Sequence, residues 1–218
     1  MCLIVLAWRT HPDYPLIVAA NRDEFHGRPA APAAFWTDKP SILAGRDLEA
    51  KGTWMGVARN GRFAAVTNYR GATEPRAAES RGALVARFLE SNEKPETYLK
   101  SIKASQYSGF NLLVADEELW SMSNRDGPAR RLQPGIYGLG NTLLDAAEVN
   151  RPKERFAAAL GPAVEPLFSL LAESKIVNAR YGTRCSTILL VSNHGKIRYA
   201  ERSFSPDGDD GDTLHYEF

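Results

Sequence analysis

The order of apolar and polar positions along the chain predicts groups of β-strands that alternate with pairs of helices. Short apolar runs bounded by turn residues are typical of strands, and apolar residues spaced three and four apart are typical of helices. The predicted strands are residues 3–8, 16–20, 53–58, 63–68, 111–115, 119–123, 129–132, 135–139, 186–192, 196–202 and 213–218. The predicted helices are residues 80–91, 96–105, 150–160 and 164–174.

Three stretches between these elements carry signals of their own. Asn60-Gly61 lies between two apolar runs, which is the strongest short signal for a β-hairpin. Residues 16–20 run into the charged residues 21–24, where we expect the strand to end. The following residues 28–40 are rich in Ala and Pro and are predicted to form a long irregular loop.

The element order favours an α+β fold. Strands joined by short turns indicate antiparallel sheets, and helices that arrive in pairs indicate layers on the outer faces of those sheets. We therefore expect a four-layer α/β/β/α sandwich of two antiparallel sheets, with residues 111–139 as a second meander. A ferredoxin-like or other α+β arrangement fits the same order nearly as well. With 218 residues and no linker, residues 1–218 are predicted to form a single domain.

Composition narrows the function classes. The 27 basic and 26 acidic residues give a net charge of +1 without a long run of one sign, so we expect no nucleic-acid partner and a small-molecule ligand. No apolar segment approaches the roughly 18 residues of a membrane span, which predicts a cytoplasmic protein without stable membrane insertion. The histidines and cysteines lack metal-ligand spacing, and residues 207–212 fail the calcium-loop pattern.

Cys2 is the first candidate for chemistry because it follows the initiator methionine. Removal of Met1 would give Cys2 a free α-amine beside its own thiol. An α-amine with a pKa of about 8 can accept the proton of a thiol, so one residue would supply both base and nucleophile. The alternative is an inert buried cysteine at the start of a strand.

Residues 21–24, Asn-Arg-Asp-Glu, follow the second predicted strand and lie near Cys2 if the first two strands pair. The carboxylate of Asp23 could hold the α-amine of Cys2, and Arg22 could lower the thiol pKa or bind a substrate carboxylate. The alternative is a solvated turn with a local ion pair.

Three later polar residues lie at predicted strand ends. Asn68 and Asn141 could each donate a hydrogen bond to a developing oxyanion, although asparagine at such places more often caps a turn. Arg184, before a strongly apolar strand, could bind an anion or order a catalytic cysteine. A snorkelling edge residue explains Arg184 equally well.

Together these motifs resemble the NRDE family, which includes the transport and Golgi organisation proteins. The resemblance is carried by Met1-Cys2 and by residues 21–25, 67–70, 137–145 and 181–184. That family resembles the cysteine-type amino-terminal nucleophile hydrolases, such as penicillin V acylases and bile salt hydrolases. The resemblance implies that fold, and it implies catalytic roles for a larger set of residues: Cys2 as nucleophile, Arg22 and Asp23 beside it, Asn68 and Asn141 as oxyanion donors, and Arg184 as a second arginine.

The resemblance also implies a function with an alternative. The first is hydrolysis of a non-peptide C–N amide or thioester bond in a small acylated substrate, without a cofactor. The alternative is a non-catalytic carrier of haem or of an acyl-lipid or acyl-coenzyme A, although no haem-ligand motif is present. Residues 28–40 and 71–79 are expected to shape the pocket, and self-association into a homo-oligomer is left open. Expected substrate contacts are Asn21, Glu24, Tyr69 and Thr183.

In one respect this chain departs from those acylases. Their arginine and aspartate are separated in sequence, whereas Arg22 and Asp23 are adjacent, so their side chains would point to opposite faces of a continuing strand. Either the strand ends between them or only one of the two serves the site.

Overall fold

The computed structural model describes residues 2–71 and 77–218. Within those residues the chain forms four α-helices and thirteen strands. The strands are β1 (Leu3–Trp8), β2 (Leu16–Phe25), β3 (Ala30–Phe35), β4 (Ile42–Asp47), β5 (Met55–Ala58), β6 (Phe63–Asn68), β7 (Phe110–Ala115), β8 (Leu119–Ser123), β9 (Arg130–Leu132), β10 (Gly135–Leu139), β11 (Tyr181–Val191), β12 (Ile197–Phe204) and β13 (Asp210–Glu217). The helices are α1 (Arg81–Glu90), α2 (Pro95–Ser101), α3 (Asn150–Ala158) and α4 (Glu165–Ala172).

The strands form two antiparallel sheets, each within its own compact unit of the chain. The first unit comprises residues 1–28, 134–140 and 144–218, and its sheet has the order β10-β1-β2-β11-β12-β13. The second unit comprises residues 29–133 and 141–143, and its sheet is the meander β3-β4-β5-β6-β7-β8-β9. The predicted α+β chain with two antiparallel sheets is thus confirmed.

In the first unit, helices α3 and α4 cover one face of the sheet. Alternate residues of the strands point to that face, and they form a buried cluster with the apolar residues of the two helices. The cluster includes Leu3, Val5, Ile17, Ala19 and Phe156, none of which is measurably exposed. The burial of this apolar surface holds β1 and β2 in the middle of the sheet.

In the second unit, α1 packs across the centre of the sheet and α2 packs near β8. Their shared core contains the fully buried residues Phe88, Phe110, Leu112 and Val114. The β5–β6 hairpin predicted from Asn60-Gly61 is confirmed, and Gly61 takes the positive φ of 86° that favours glycine in this turn.

Three element predictions are wrong. Strand β2 continues to Phe25 instead of ending at residue 20, because residues 21–25 pair with β11. The predicted loop of residues 28–40 contains strand β3. The predicted second meander is divided, since β7, β8 and β9 extend the second unit's sheet whereas β10 pairs with β1 in the first.

No helix in the described ranges is both long and apolar enough to cross a membrane. The single-domain assignment of residues 1–218 stays a prediction, as does the cytoplasmic location.

Candidate active site

Cys2 lies directly before β1, and its thiol contacts the backbone of Asp23 in β2. The Cys2 Sγ atom is 3.4 Å from both the nitrogen and the carbonyl oxygen of Asp23. The Asp23 N–H donates to the sulfur, and the thiol S–H donates to the Asp23 oxygen. Leu3 pairs with Asn21, and continuing this antiparallel register places Cys2 opposite Arg22, next to Asp23 along β2. Two specific contacts therefore hold the Cys2 side chain in place.

The surroundings of Cys2 favour its neutral form. Desolvation by burial, followed by the negative charge of Asp23, raises the pKa of the Cys2 thiol from 9.0 to about 11. The Asp23 N–H acts in the opposite direction, because a donor to sulfur stabilises the thiolate. At neutral pH the thiol is therefore protonated, and it needs a nearby base before it can act as a nucleophile.

The Asp23 carboxylate is fixed by the neighbouring strand. Asp23 Oδ1 accepts a hydrogen bond of 2.7 Å from the Thr183 hydroxyl in β11. The same hydroxyl oxygen accepts a bond of 2.8 Å from the N–H of Ile176. Both Asp23 and Thr183 are buried. Thr183, predicted as a substrate contact, thus lies beside Asp23 and ties it to the segment that precedes β11.

Arg22 and Asp23 lie on opposite faces of one continuous strand. Asn21 donates to the carbonyl of Leu171 in α4, which identifies the helix-covered face, and by alternation Asp23 shares that face while Arg22 does not. Arg22 pairs in register with Cys185 of β11. The strand therefore does not end between Arg22 and Asp23, and the adjacent pair does not present both side chains to one side.

Arg184 lies at an irregularity in the pairing of β11 with β2, between Thr183 and Cys185. Its Nη1 atom donates to the carbonyl oxygens of three residues after Asp23 at 2.9, 3.2 and 3.2 Å; these are Phe25, His26 and Arg28. Burial and then the charge of Arg22 lower the pKa of Arg184. The two arginines are thus close enough to repel, and their combined positive potential suits an anionic group.

Two other predicted substrate contacts in this unit are placed as follows. The Asn21 side chain is buried and uses both ends of its amide, because its oxygen also accepts a bond of 2.6 Å from Ser186. Glu24 is half-buried, and its carboxylate accepts from the Phe25 N–H at 2.8 Å. Asn21 thus joins β2, α4 and β11, and substrate contacts by Asn21 and Glu24 stay predictions.

In the second unit, Asn68 and Asn141 are brought together. The Asn141 side-chain amide donates a bond of 2.8 Å to the carbonyl oxygen of Asn68, and the Asn141 carbonyl accepts from the Arg70 N–H. Asn141 uses one of its two amide N–H groups in this contact. Tyr69 lies between Asn68 and Arg70 and donates its backbone N–H to Gly109.

Sequence reasoning missed Asn111 and the hydroxyl of Tyr181. Asn111 is buried in β7, and its amide donates to the carbonyl of Thr142, which positions the segment that carries Asn141. An asparagine within an otherwise apolar strand was the available signal. Tyr181 was included in a motif without a role, yet its hydroxyl donates to the carbonyl of Asp23 at 3.2 Å.

The remaining predictions concern ligands and pocket-forming segments. Among residues 2–71 and 77–218 there is no cluster of three or more His, Cys, Asp or Glu side chains that could hold a metal ion. Met1 lies outside the described residues, and so does the 72–76 part of the predicted pocket segment 71–79. Haem binding stays a prediction.

Comparison with known proteins gives a consistent result. A family model described as Transport and Golgi organisation 2 matches residues 1–179 and 162–206. The Bos taurus Transport and Golgi organization protein 2 homolog is 35% identical over 272 aligned positions, covering 100% of this chain and 99% of that protein. The Homo sapiens homolog is 34% identical and covers 100% and 96% of the two chains, and the Drosophila melanogaster protein is 30% identical and covers 94% and 93%.

Two solved structures show the fold. The C2A mutant of conjugated bile acid hydrolase from Clostridium perfringens has a TM-score of 0.59 at 8% identity, covering 100% of this chain and 97% of the other. A Caenorhabditis elegans ortholog of N-acylethanolamine-hydrolyzing acid amidase has a TM-score of 0.55 at 11% identity, covering 87% and 92%. This chain shares its fold with these two hydrolases, so the predicted α+β fold class with two antiparallel sheets is confirmed.

Proposed function

The chain belongs to the Transport and Golgi organisation 2 family, and we propose that it hydrolyses an amide or thioester bond of a small acylated molecule with Cys2 as the nucleophile. One observation carries the proposal: the Cys2 thiol is held by the backbone nitrogen and the carbonyl oxygen of Asp23, each at 3.4 Å. A cysteine that only fills space at a strand end needs no such contacts. The fold shared with two hydrolases, one of them studied as a C2A mutant, supports the same chemistry.

The raised pKa of Cys2 determines which base the mechanism needs. A thiol with a pKa of about 11 holds its proton at neutral pH, so it cannot rely on a standing population of thiolate. After removal of Met1, the α-amine of Cys2 would lie on the same residue as the thiol and could accept the proton as the sulfur attacks. Removal of Met1 is therefore a requirement of the proposal.

The reaction would proceed in two halves. In the first, the sulfur bonds to the substrate carbonyl carbon, the α-amine takes the thiol proton, and that proton passes to the leaving nitrogen as the C–N bond breaks. In the second, water adds to the resulting thioester and gives a proton to the α-amine. The C–S bond then breaks, and the sulfur recovers that proton as the carboxylic acid leaves.

Other residues have supporting roles in the proposal. The Asp23 N–H donates to sulfur and stabilises developing negative charge there. Arg22 and Arg184 together favour a substrate with an anionic group. Oxyanion stabilisation is assigned to Asn141, which keeps a second amide N–H beyond the one bonded to Asn68, and to Asn68 itself.

The test is the intact mass of the purified protein before and after incubation with a panel of amides and thioesters. We expect loss of Met1, followed by an acyl adduct that peptide mapping places on Cys2. Cys2→Ala removes the adduct and turnover, whereas mapping of Cys185, which is the second free thiol and is buried, serves as the internal control. A variant with one lysine inserted between Met1 and Cys2 keeps the thiol but lacks its free amine, and it should form no adduct. Full turnover by Cys2→Ala would refute the mechanism.

A second candidate function is the binding and transfer of haem or of an acyl-lipid, which the names of the relatives as transport proteins favour. Titration with haem followed at the Soret band tests the haem form of this candidate. A saturable shift that is lost in Cys2→Ala, together with no adduct on any substrate, would favour carriage over hydrolysis.

A further inference from the structure

The carbonyl oxygen of Asp23 accepts two hydrogen bonds from side chains on different strands. The Cys2 thiol donates to it at 3.4 Å from before β1, and the Tyr181 hydroxyl donates to it at 3.2 Å from the start of β11. A backbone carbonyl has two lone pairs, so both bonds form together. The thiol and the phenol are thus neighbours that share one acceptor.

We propose that Tyr181 is a positioning residue for the Cys2 thiol, acting through this shared carbonyl to shift the thiol from proton donor toward proton acceptor. The catalytic consequence rests on the function proposed above, but the effect on the thiol itself does not. Neither the predicted site nor the roles implied by the family resemblance assign a task to this hydroxyl.

Cys2 and Asp23 make two contacts with opposite effects on the thiol. The S–H···O contact stabilises the neutral thiol, whereas the N–H···S contact stabilises the thiolate, because each bond favours the protonation state that makes it. Any group that weakens the first contact and leaves the second in place moves the balance toward the thiolate.

The Tyr181 hydroxyl is placed to weaken the first contact. An oxygen that already accepts a bond from a phenol has less electron density to offer to a weaker S–H donor. The Asp23 N–H is a separate group and keeps its bond to sulfur. Tyr181 therefore opposes part of the stabilisation of the neutral thiol without touching the donor that favours the thiolate.

The placement of Tyr181 is itself fixed by packing. Its ring makes an edge-to-face contact with Phe25, with centroids 5.2 Å apart and an interplanar angle of 76°. Tyr181 and Phe25 are also partners in the β2–β11 register. The ring contact survives when only the hydroxyl is removed, so Tyr181→Phe isolates the hydrogen bond.

The other charged groups that act on the thiol do not replace this effect. From β2, both Asp23 and Glu24 raise the pKa of Cys2, with Asp23 the stronger, whereas the positive charge of the chain's amino terminus lowers it. From β11, the titratable side chain at the shared carbonyl is Tyr181, and Arg184 donates to the carbonyl oxygens of Phe25, His26 and Arg28. Tyr181 is thus a neutral group that acts against two carboxylates.

The test is the rate at which iodoacetamide alkylates Cys2 at pH 8, with peptide mass mapping to separate Cys2 from Cys185. In Tyr181→Phe the Asp23 carbonyl oxygen accepts a side-chain hydrogen bond from the thiol alone, which stabilises the neutral thiol. We therefore expect alkylation to slow by about three- to tenfold. Rates at a pH above the thiol pKa should converge, because thiolate then predominates in both proteins.

The direction in which the alkylation rate of Cys2 changes in Tyr181→Phe distinguishes this role from a purely structural one. Loosening of the fold around Cys2 would expose the thiol and speed its alkylation. Phe25→Leu keeps the hydroxyl but removes the ring contact that helps to place it, so it should slow alkylation by less than Tyr181→Phe does. Tyr14→Phe, which removes a hydroxyl from a residue between β1 and β2 in the same unit, is the matched control.

An unchanged or faster alkylation in Tyr181→Phe would overturn the inference. Absence of turnover in the wild-type protein would instead refute the proposed function and leave the alkylation result standing. Where turnover is present, we expect Tyr181→Phe to lower kcat and to leave KM nearly unchanged, because the hydroxyl acts on the nucleophile.

Discussion

Replacement of Thr183 by valine tests the link that fixes Asp23 beside the candidate nucleophile. Valine has nearly the shape of threonine but no hydroxyl, so the change removes two bonds from a residue that is 1% exposed. One is the 2.7 Å bond to the Asp23 carboxylate, and the other is the 2.8 Å bond from the Ile176 N–H.

The magnitude follows from what each lost partner leaves behind. A hydrogen bond to a charged group contributes about 1.5–3 kcal/mol, and a buried N–H left without an acceptor costs about 1–3 kcal/mol. The added methyl group recovers about 0.8 kcal/mol if it is well packed. We therefore expect Thr183→Val to lower the free energy of unfolding by about 2–5 kcal/mol.

The assay is urea unfolding at pH 7, followed both by tryptophan fluorescence and by far-ultraviolet circular dichroism. Thr183→Ser keeps the hydroxyl and is the control; it should lose much less than the valine variant. Because Asp23 holds the thiol, Thr183→Val should also accelerate alkylation of Cys2. A valine variant no less stable than the serine variant would show that these two bonds contribute little, and the reasoning would fail.

Three further predictions concern stability. Arg62, buried beneath the second unit's helices, forms a 3.2 Å ion pair with Asp116. Arg62→Met should therefore lower the free energy of unfolding in urea by about 3–5 kcal/mol. A variant as stable as the wild-type protein would contradict this prediction. A Cβ on Gly52 would lie 2.5 Å from the backbone carbon of Gly82, so Gly52→Ala should lower the free energy of unfolding by about 1–3 kcal/mol. Gly127→Ala is the control and should not lower it, because nothing lies within 4 Å of a Cβ at that position. The pKa of the Cys2 thiol is raised in the folded chain, so stability should fall as pH rises from 9.0 to 11, where only the unfolded chain ionises. Urea unfolding at several pH values should show a shallower fall in Cys2→Ala; equal slopes would contradict the assignment.

The sequence predicts elements well where one local signal decides them. The Asn60-Gly61 hairpin and helix α1, expected at residues 80–91 and found at Arg81–Glu90, are of this kind. Strand β3 escaped prediction because Pro32 interrupts an Ala-rich run. The structure tolerates this proline at an edge strand, where pairing with β4 shifts register between Ala31 and Ala34.

The charged motif was harder to predict because its partners are distant in sequence. Residues 21–24 read as a solvated turn, since buried Asp and Arg are unfavourable without partners. Their main partners lie about 160 residues later, in Thr183 and the other residues of β11. A single sequence does not contain that pairing in any local pattern. The family resemblance implied catalytic roles for Cys2 and Asp23, and Thr183 was an expected substrate contact. The β2–β11 register explains how Asp23 and Thr183 meet.

Gly138 lies near Asn141 in sequence, but its close packing has a separate cause. The backbone of Gly138 is closely approached, because a Cβ there would lie 2.7 Å from Val149 and 2.9 Å from Lys153. This approach serves the packing of α3 on β10 in the first unit and gives no separate support to the oxyanion role of Asn141.

The proposals about Cys2 all depend on the raised pKa of its thiol. Most reactive cysteines are activated by positive surroundings that lower the pKa, yet here burial and Asp23 raise it to about 11. A thiol in this state is protected from adventitious alkylation and oxidation at neutral pH, since the thiolate is the reactive form. It becomes a nucleophile only where a base removes its proton during attack, and the α-amine exposed by loss of Met1 would be that base. The Cys2 thiol of a chain that retains Met1 should therefore react slowly, and removal of Met1 would activate it as a nucleophile.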